Sequence, residues 1–484
     1  MKIPFGEWLP DQPVFEQSEG TNYVKNVVPK ARGFGPFKSF SQYSNALTAR
    51  CQGGIAVKDK NGSVWIFAGD ATKLYRQSGA TFSDVSRLAG GAYALGASAH
   101  WDFTVYNDNL IATNIADDVQ TFALATDANF SALAGTPPKA AHCATVREFV
   151  VLGNLVGFPN RLHWSASGNS TNWTVGSNES DRQDLYEGGP IRGIVGGEYG
   201  VVFQEAGITR MTRVGGGIVF QLDKVESNRG TRSPKSIVPV GSNVFFLDTE
   251  GFMVFNGQQS VPIGAEKFNR TVIDELDPTY YTRVVGASDP RNHYVAWIYV
   301  STSATLPGIP DRMLIYNYTT QRAAIVHLNL EYILTLISQG TDLDTMGATY
   351  ADLDALTDSL DSPIWMGGSV LFGGFDSDHK EGFFTGSNLE AIIETPEVTN
   401  DLNRAILQAV LPLVDTTSLT LAAGYRERLG DTVTYTAEAP VEQDGRCSIL
   451  TSARYHRLRA TIAAGATWSH AVGVNVEGGD GGYS

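Results

Sequence analysis

Residues 54–87 read GIAVKDKNGSVWIFAGDATKLYRQSGATFSDVSR, and this stretch decides the fold. Its apolar runs are separated by the pairs Asn61-Gly62 and Ser78-Gly79. Such pairs favour tight hairpin turns, because glycine readily adopts the positive φ that these turns need. The stretch therefore predicts four short strands, at Ile55–Lys58, Val64–Ala68, Lys73–Gln77 and Thr81–Val85. A meander of four strands joined this tightly is one blade of a β-propeller.

The strand pattern recurs at intervals of roughly 40–50 residues, with a longer last interval, which is the period of propeller blades. Each recurrence has an apolar strand, a short turn and a second apolar strand. The strands that match Val64–Ala68 are Asn109–Thr113, Phe149–Gly153, Gly200–Gln204, Asn243–Leu247, His293–Trp297 and Ser369–Gly373. They predict an all-β propeller of about seven blades and leave six or eight open. Because Val201–Phe203 and Val244–Leu247 are apolar at successive positions, we expect such strands to be the inner ones.

Changes of composition divide the chain into three parts. Residues 1–50 are punctuated by proline and predict an extended arm that contacts the propeller surface or a neighbouring subunit. Residues 51–395 form the propeller, with insertions at 266–277 and 341–363. Residues 396–484 contain alternating strands separated by Gly, Asp and Pro, which predict a C-terminal antiparallel β-sandwich.

The two insertions differ in character. The first places Phe268, Val272, Ile273 and Leu276 on one stripe, which predicts a short amphipathic helix on the propeller surface. The second contains six aspartates, at positions 342, 344, 352, 354, 358 and 361. Calcium binding is one interpretation, and capping of turns by each aspartate is the other. The spacing fits no twelve-residue calcium loop, so turn capping is favoured and no metal site is predicted.

The bulk properties exclude some functions. The chain of 484 residues has 51 acidic and 36 basic side chains, a formal net charge of −15. This balance argues against a tight nucleic-acid clamp, which needs a basic footprint. The cysteines Cys51, Cys143 and Cys447 lie far apart and are predicted to be reduced and structural. We find no apolar core of a signal peptide and no window apolar enough to span a bilayer, so we expect a soluble protein made in a cytoplasm.

No set of residues predicts catalysis. Ser165–Trp173 resembles the Asp-box hairpin of sialidases but has Asn169 where an acid is expected. A sialidase also needs an arginine triad, a tyrosine nucleophile and paired carboxylates. The sequence does not sort the available arginines into a triad; they are Arg161, Arg182, Arg192, Arg210, Arg213, Arg229 and Arg232. We therefore predict that the protein is not an enzyme, with no catalytic, cofactor-binding or metal-binding residues and no cofactor.

Several short motifs, in their order along the chain, resemble a known family. They are Pro10-Asp11, Asn26–Pro29 and Gly33–Phe37 in the arm, Ala68–Tyr75 in the first blade, Leu353–Leu356 and Leu360–Ser362 in the second insertion, and Gly445–Cys447, Arg454–Arg459 and Trp468–Val474 near the C-terminus. Together they resemble the β-propeller tail proteins of tailed bacteriophages. The nearest group is the tail nozzle proteins of short-tailed phages, which connect head to tail and stabilise packaged DNA.

This resemblance implies a structural virion protein located in the tail and made in the host bacterial cytoplasm. It implies a hexameric ring below the portal and adaptor proteins that contacts the tail tip or fibres. Double-stranded DNA would pass through without sequence-specific binding, and an acidic wall suits this because like charge reduces sticking to phosphate. Two alternatives stay open: a glycan-binding or glycan-cleaving tail propeller, and a non-viral scaffold propeller that binds peptides.

Overall fold

The computed structural model describes residues 1–13, 20–215, 218–338, 368–399 and 403–480. Within them the chain is almost entirely β-strand and forms seven four-stranded antiparallel blades and a two-sheet sandwich. The predicted all-β propeller fold is confirmed. The insertion at 341–363, with its six aspartates and the calcium alternative, lies outside the described residues.

The N-terminal arm forms short strands, because its prolines and glycines interrupt every extended run. They are β1 (Lys2–Pro4), β2 (Glu7–Trp8), β3 (Gly20–Thr21), β4 (Val24–Lys25), β5 (Val27–Pro29), β6 (Phe34–Pro36) and β7 (Ser41–Ala46). The pair β2 and β3 is parallel. The other arm strands join sheets whose remaining strands come from far along the chain.

Six blades are each built from one continuous stretch, with the strands in chain order across the sheet. Blade one is β8 (Gly53–Lys58), β9 (Val64–Gly69), β10 (Leu74–Ser78) and β11 (Thr81–Asp84), and blade two is β12 (Asp102–Tyr106), β13 (Asn109–Thr113), β14 (Gln120–Ala123) and β15 (Ser131–Ala132). Blade three is β16 (Ala140–Val146), β17 (Phe149–Leu155), β18 (Phe158–Trp164) and β19 (Asp181–Asp184), and blade four is β20 (Ile191–Val195), β21 (Gly200–Gln204), β22 (Gly207–Arg213) and β23 (Phe220–Ser227). Blade five is β24 (Val238–Val240), β25 (Asn243–Asp248), β26 (Gly251–Phe255) and β27 (Ser260–Pro262), and blade six is β28 (Val285–Asp289), β29 (Tyr294–Tyr299), β30 (Arg312–Asn317) and β31 (Arg322–His327).

Blade seven takes its outer strand from the arm. Its first three strands are β32 (Leu330–Ile337), β33 (Val370–Asp376) and β34 (Lys380–Phe383), and β7 pairs with β34. The stretch assigned to the arm therefore ends earlier than residue 50, since Ser41–Ala46 belong to the propeller. Pairing the first and last parts of the propeller closes the ring and covers an edge that would otherwise be free.

The first strands of the blades surround the propeller axis. Neighbouring first strands contact each other, β20 meets the short 3-10 turn Pro234–Ser236 that precedes β24, and β32 contacts β8. The expectation that Val201–Phe203 and Val244–Leu247 lie innermost is wrong, because they belong to the second strands β21 and β25. Second strands are the most apolar because adjacent blades cover both of their faces, whereas first strands border the axis.

A helix lies in the first insertion, between blades five and six: α1 (Asn269–Glu275). The N-terminal arm covers this helix, so the helix does not lie on an uncovered part of the propeller surface. The ring of Trp8 stacks on Phe268 with centroids 5.9 Å apart. Asp11 accepts hydrogen bonds from the backbone N–H groups of Arg270 and Thr271, at 2.9 and 2.8 Å. The arm therefore supplies the N-terminal cap that the sequence of the helix lacks. The 3-10 segment Pro278–Arg283 leads from here to blade six.

The sandwich consists of C-terminal strands and arm strands together. Its C-terminal strands are β35 (Ala391–Glu394), β36 (Val398–Thr399), β37 (Ala405–Val414), β38 (Leu419–Arg426), β39 (Thr434–Tyr435), β40 (Ala439–Pro440), β41 (Cys447–Ala453), β42 (Tyr455–Ile462) and β43 (Ala471–Asp480). One sheet has the order β41-β37-β43-β6-β5, with β1 also on β43. The other has the order β39-β38-β42-β35-β4, with β36 on β42 and β40 on β38.

One apolar core joins the sandwich, the arm and blades five and six. Phe5, Trp8 and Phe34 of the arm are buried in the same cluster as Trp297 of blade six and Leu458 of the sandwich. The backbone N–H of Asn26 also donates to the carbonyl oxygen of Ile325 in β31, at 3.0 Å. The arm thus contacts the propeller surface and completes the sandwich within its own chain.

Candidate functional site at the propeller axis

The site is formed where the first strands of blades two, three and five meet at the axis. Asp102 begins β12, His142 is the third residue of β16, and Lys235 lies in the turn before β24. First strands tolerate such side chains because one side of each faces the axial space instead of a neighbouring sheet. Three residues that are far apart in sequence therefore point to one place.

Asp102 is the centre of this cluster. Its Oδ1 lies 2.9 Å from Nζ of Lys235, and its Oδ2 lies 3.3 Å from Nδ1 of His142. Oδ2 also accepts a weak hydrogen bond from the backbone N–H of Cys143, at 3.4 Å. Both carboxylate oxygens are thus engaged by groups of the same chain.

The Asp102 carboxylate and the Lys235 ammonium each stabilise the ionised form of the other. Burial alone would raise the pKa of Asp102, but the ammonium of Lys235 and the ring of His142 hold it below its usual range. Burial alone would lower the pKa of Lys235, but Asp102 holds it above its usual range. Lys235 is therefore not a neutral amine near pH 7, and Asp102 is not a protonated acid.

His100 lies just before β12. Its Nε2 donates to the carbonyl oxygen of Thr282, at 2.7 Å. Burial, together with the nearby Lys235, lowers the pKa of His100 to about 3, so its imidazole is neutral at pH 7. Within the described part of the chain, Nδ1 of this ring is buried without a hydrogen-bond partner. The His100 side chain thus links the segment before the first strand of blade two to the 3-10 segment before blade six.

A cavity of about 360 Å³ opens beside the ion pair. Its walls include Asp102, His142, Lys235, Thr104 and Gly193. Cys143 also lines it, but the thiol is 3% exposed and burial holds its pKa well above the usual value. Because its high pKa keeps the Cys143 thiol protonated near pH 7, the cavity does not present a thiolate from this cysteine. Its chemistry is that of an internal ion pair that ties three blades together.

The Asp-box-like segment forms the turn between β18 and β19. Oδ1 of Asn169 accepts hydrogen bonds from the backbone N–H and the hydroxyl of Thr171, at 2.9 and 2.8 Å. Trp173 is buried, and its Nε1 donates to the carbonyl oxygen of Ser170 at 2.8 Å. Asn169 therefore fills the turn-forming role of an aspartate, and the segment shapes a hairpin.

Five of the seven arginines considered for a triad pair with carboxylates of blades three and four. Arg161 pairs with Asp184, Arg192 and Arg232 with Glu205, Arg210 with Asp223, and Arg213 with Glu148 and Glu179. Arg229 instead donates to the carbonyl oxygen of Ser260. These six arginines thus engage several separate partners, with Arg192 and Arg232 sharing Glu205, and they are not directed to one ligand.

The described residues contain no group of three or more His, Cys, Asp or Glu side chains that could hold a metal ion. In the same residues, no helix has the length and apolar character to cross a membrane. Cys51, Cys143 and Cys447 are all buried and free.

Sequence reasoning missed the axial cluster. Asp102, His142 and Lys235 belong to no motif, and the sequence places them in three different blades. A usable signal exists only once the first strand of each blade is assigned, since one face of those strands borders the axis and polar residues on or just before them become candidates.

Comparisons with known proteins give only distant similarity. Neither a protein-family model nor a curated protein matches the chain. Among solved structures, the extracellular domain of the putative hybrid two-component system BT4673 from B. thetaiotaomicron has a TM-score of 0.42 at 11% identity, over 85% of this chain and 47% of that one. The chain therefore spans about half the length of that structure.

Two further solved structures are propeller-like. The Pan2 WD40 domain of Neurospora crassa has a TM-score of 0.36 at 7% identity, over 64% of this chain and 91% of that one. BamB from Moraxella catarrhalis has a TM-score of 0.36 at 11% identity, over 74% of this chain and 92% of that one. The chain is a β-propeller. This assignment rests on the seven blades of the chain itself, and these similarities assign no function.

Proposed function

We propose that the chain is a structural subunit of a bacteriophage tail, the nozzle subunit of a short-tailed phage that the sequence motifs imply. In this role six copies form a ring below the portal and adaptor proteins, contact the tail tip or fibres, and extend the DNA channel. The ring retains packaged double-stranded DNA and conducts it during ejection. The subunit is made in the bacterial cytoplasm, functions in the virion and catalyses no reaction.

What carries this proposal is the single apolar core that joins propeller, arm and sandwich. Domains that move relative to each other share small, polar interfaces, whereas a large buried apolar interface holds them rigid. Here Trp8 and Phe34 of the arm are buried with Trp297 of blade six and Leu458 of the sandwich. Rigidity of this kind suits a mechanical part of a larger assembly.

The charge of the chain supports the same role. The net charge of −15 repels phosphate, and arginines of blades three and four are paired with carboxylates of those blades. Paired arginines are not available to grip a DNA backbone. A conduit must let DNA pass, so weak attraction is an advantage.

The axial cluster is consistent with a role without catalysis. Asp102, Lys235 and His142 satisfy one another, so the ion pair serves the propeller instead of a substrate. The proposal that the protein is not an enzyme rests on this internal pairing and on the structural turn at Asn169.

The test is the assembly state of the full chain. Mass photometry is expected to show a species at six times the 52.2 kDa chain mass, and negative-stain images are expected to show a closed ring with a central channel. A chain that stays monomeric over the whole accessible concentration range, with and without portal and adaptor proteins, contradicts the proposal.

The same preparation separates the two alternatives. Release of reducing sugars from a panel of bacterial surface glycans identifies the glycan-cleaving alternative. Saturable binding of a peptide by a monomer identifies the scaffold propeller, which the fold also accommodates.

A further inference from the structure

The sandwich contains a cavity that is separate from the propeller axis. It has a volume of about 280 Å³ and lies between the two sheets at one end of the sandwich. Ile3, Leu407 and Val476 line it from one sheet, and Val398 and Leu458 line it from the other. Its walls are mostly apolar, so an apolar body gains free energy by leaving water for this space.

One polar ring lines this apolar space. His456 lies in β42, where its backbone pairs with Val398 and Tyr425. The residue is 5% exposed, yet its Nε2 has no hydrogen-bond partner within the described part of the chain. A buried nitrogen without a partner costs free energy, and a bound group that supplies the missing hydrogen bond recovers it.

The ring is uncharged in this environment. Burial lowers the pKa of His456; the charge of Glu427 opposes this shift, and Arg404, which pairs with Glu427, adds to it, so that the net shift is downward. A neutral imidazole has one N–H donor and one acceptor nitrogen, so Nε2 can pair with a hydroxyl in either direction. A carboxylate beside this neutral ring would lose hydration without gaining a charge–charge attraction from the ring, so the ring favours a neutral hydroxyl over an anion.

Two adjacent glycines line the cavity and differ in the space around them. Gly479 lines the cavity, and a Cβ built on it would meet no heavy atom within 4 Å. At the neighbouring Gly478 the situation is the opposite, because a Cβ there would collide with the carbonyl oxygen of Ile406. Position 479 therefore accepts a larger side chain without a clash in the empty protein.

We propose that this cavity binds a small neutral molecule with an apolar body and a single hydroxyl group, and that the hydroxyl pairs with Nε2 of His456. The apolar walls hold the body of the ligand, and the imidazole sets its orientation. The site belongs to the sandwich and is independent of the role proposed for the propeller.

The test compares two probes of nearly the same shape on the full chain. p-Cresol and p-xylene differ by one hydroxyl in place of a methyl group, so their affinity ratio reports the hydrogen bond to His456. By isothermal titration calorimetry, p-cresol is expected to bind about threefold to tenfold more tightly than p-xylene. In His456→Leu this preference disappears while p-xylene binding remains.

Two variants serve as controls. His470→Leu changes an exposed histidine of the sandwich and is expected to keep the preference for p-cresol. Val476→Phe enlarges a side chain that lines the cavity and is expected to weaken both probes by about tenfold or more. If His456→Leu does not fold, the ring ¹⁵N shifts of wild-type protein decide, since p-cresol must move one histidine Nε2 signal and p-xylene must not.

The proposal is overturned if neither probe binds, if both bind equally to the wild type, or if the preference persists in His456→Leu. It is also overturned if Val476→Phe binds both probes as the wild type does, because the ligand then lies elsewhere.

Discussion

Blade one and blade seven have the same four-stranded sheet but are assembled differently. Blade one uses consecutive strands from Gly53 to Asp84, joined by tight turns. Blade seven pairs β34 with β7, so that Gln42 bonds to Asp376, 334 positions away. Local turns are therefore enough to specify a blade. Ring closure, in contrast, brings distant residues together, and tertiary packing must offset the entropy lost in closing that long loop.

Removing the arm is expected to have the largest effect. Deletion of residues 1–46 takes the outer strand from blade seven and β1, β4, β5 and β6 from the sandwich. The loss exceeds the total stability of a domain, about 5–15 kcal/mol, so no cooperative thermal transition is expected by circular dichroism. A synthetic peptide of residues 1–50 added in trans should restore the transition. A truncated chain that melts like the full chain would show that closure does not depend on β7.

The turn aspartates of the two blades give a matched pair. Asp70 of blade one is fully buried; its Oδ1 accepts from the backbone N–H groups of Thr72 and Lys73, and its Oδ2 accepts from the Tyr75 hydroxyl. Because Asp70→Ala leaves the buried Tyr75 hydroxyl and two part-buried N–H groups without this acceptor, it is expected to cost about 3 kcal/mol of unfolding free energy in urea.

The corresponding residue of blade seven, Asp376, is only partly buried. It accepts from the N–H groups of Asp378 and Lys380, and water can replace it there. Asp376→Ala is therefore expected to cost about 1 kcal/mol in the same urea experiment. Equal losses in the two variants would mean that burial does not distinguish the two turns.

The seam between blades one and seven is expected to be sensitive to pH. Glu381 of β34 is fully buried, and Gln77 of β10 donates to one of its carboxyl oxygens. Burial raises the pKa of Glu381 to about 8, from an ordinary value of 4.5. Between these values the folded chain keeps a proton that the unfolded chain loses, so this residue lowers stability as pH rises.

Glu381→Gln removes this titration. Between pH 5 and pH 8 the wild type is expected to lose roughly 3.5 kcal/mol more stability than the variant, measured by urea unfolding at each pH. Glu250→Gln, at an exposed position, should leave the pH profile unchanged. Identical profiles for Glu381→Gln and the wild type would mean that the carboxyl is already ionised in the folded protein.

The smallest expected effect concerns the arm's contact with α1. Asp11→Ala removes the cap on the N–H groups of Arg270 and Thr271 and is expected to cost about 1 kcal/mol. Asp274→Ala, at an exposed position of the same helix, should change stability by less than about 0.5 kcal/mol. Both are measured by urea unfolding. A larger loss for Asp274→Ala would mean that the arm does not stabilise this helix.

Sequence reasoning succeeded where a signal is local. The strands of blade one were predicted to within about two residues, because Gly62 and Gly79 adopt the positive φ that their turns need. On β42, the period-two alternation of a strand places His456 and Leu458 on the buried face and Arg457 and Arg459 on the other. Arg459 on that second face pairs with Glu394, which the sequence alone does not indicate.

It failed where the partner is distant. β7 has no apolar run of its own, since Ser41–Ala46 are mostly polar and become a strand only against β34. The first strands were not recognised as the inner strands, because polar residues at the axis, such as Asp102 and His142, interrupt their apolar pattern. For the same reason the axial ion pair was not found.

The sequence by itself determined the period of the blades, their second and third strands, their turns and the alternating strands of the sandwich. These features depend on neighbours a few residues apart, whose geometry is set by side-chain alternation and by glycine. The identity of the strand that closes the ring, the pairing of the arm, and the contact between Asp102 and Lys235 became visible in the folded chain alone. Those contacts join residues far apart in sequence, and they form because burial and pairing offset the entropy of closing long loops.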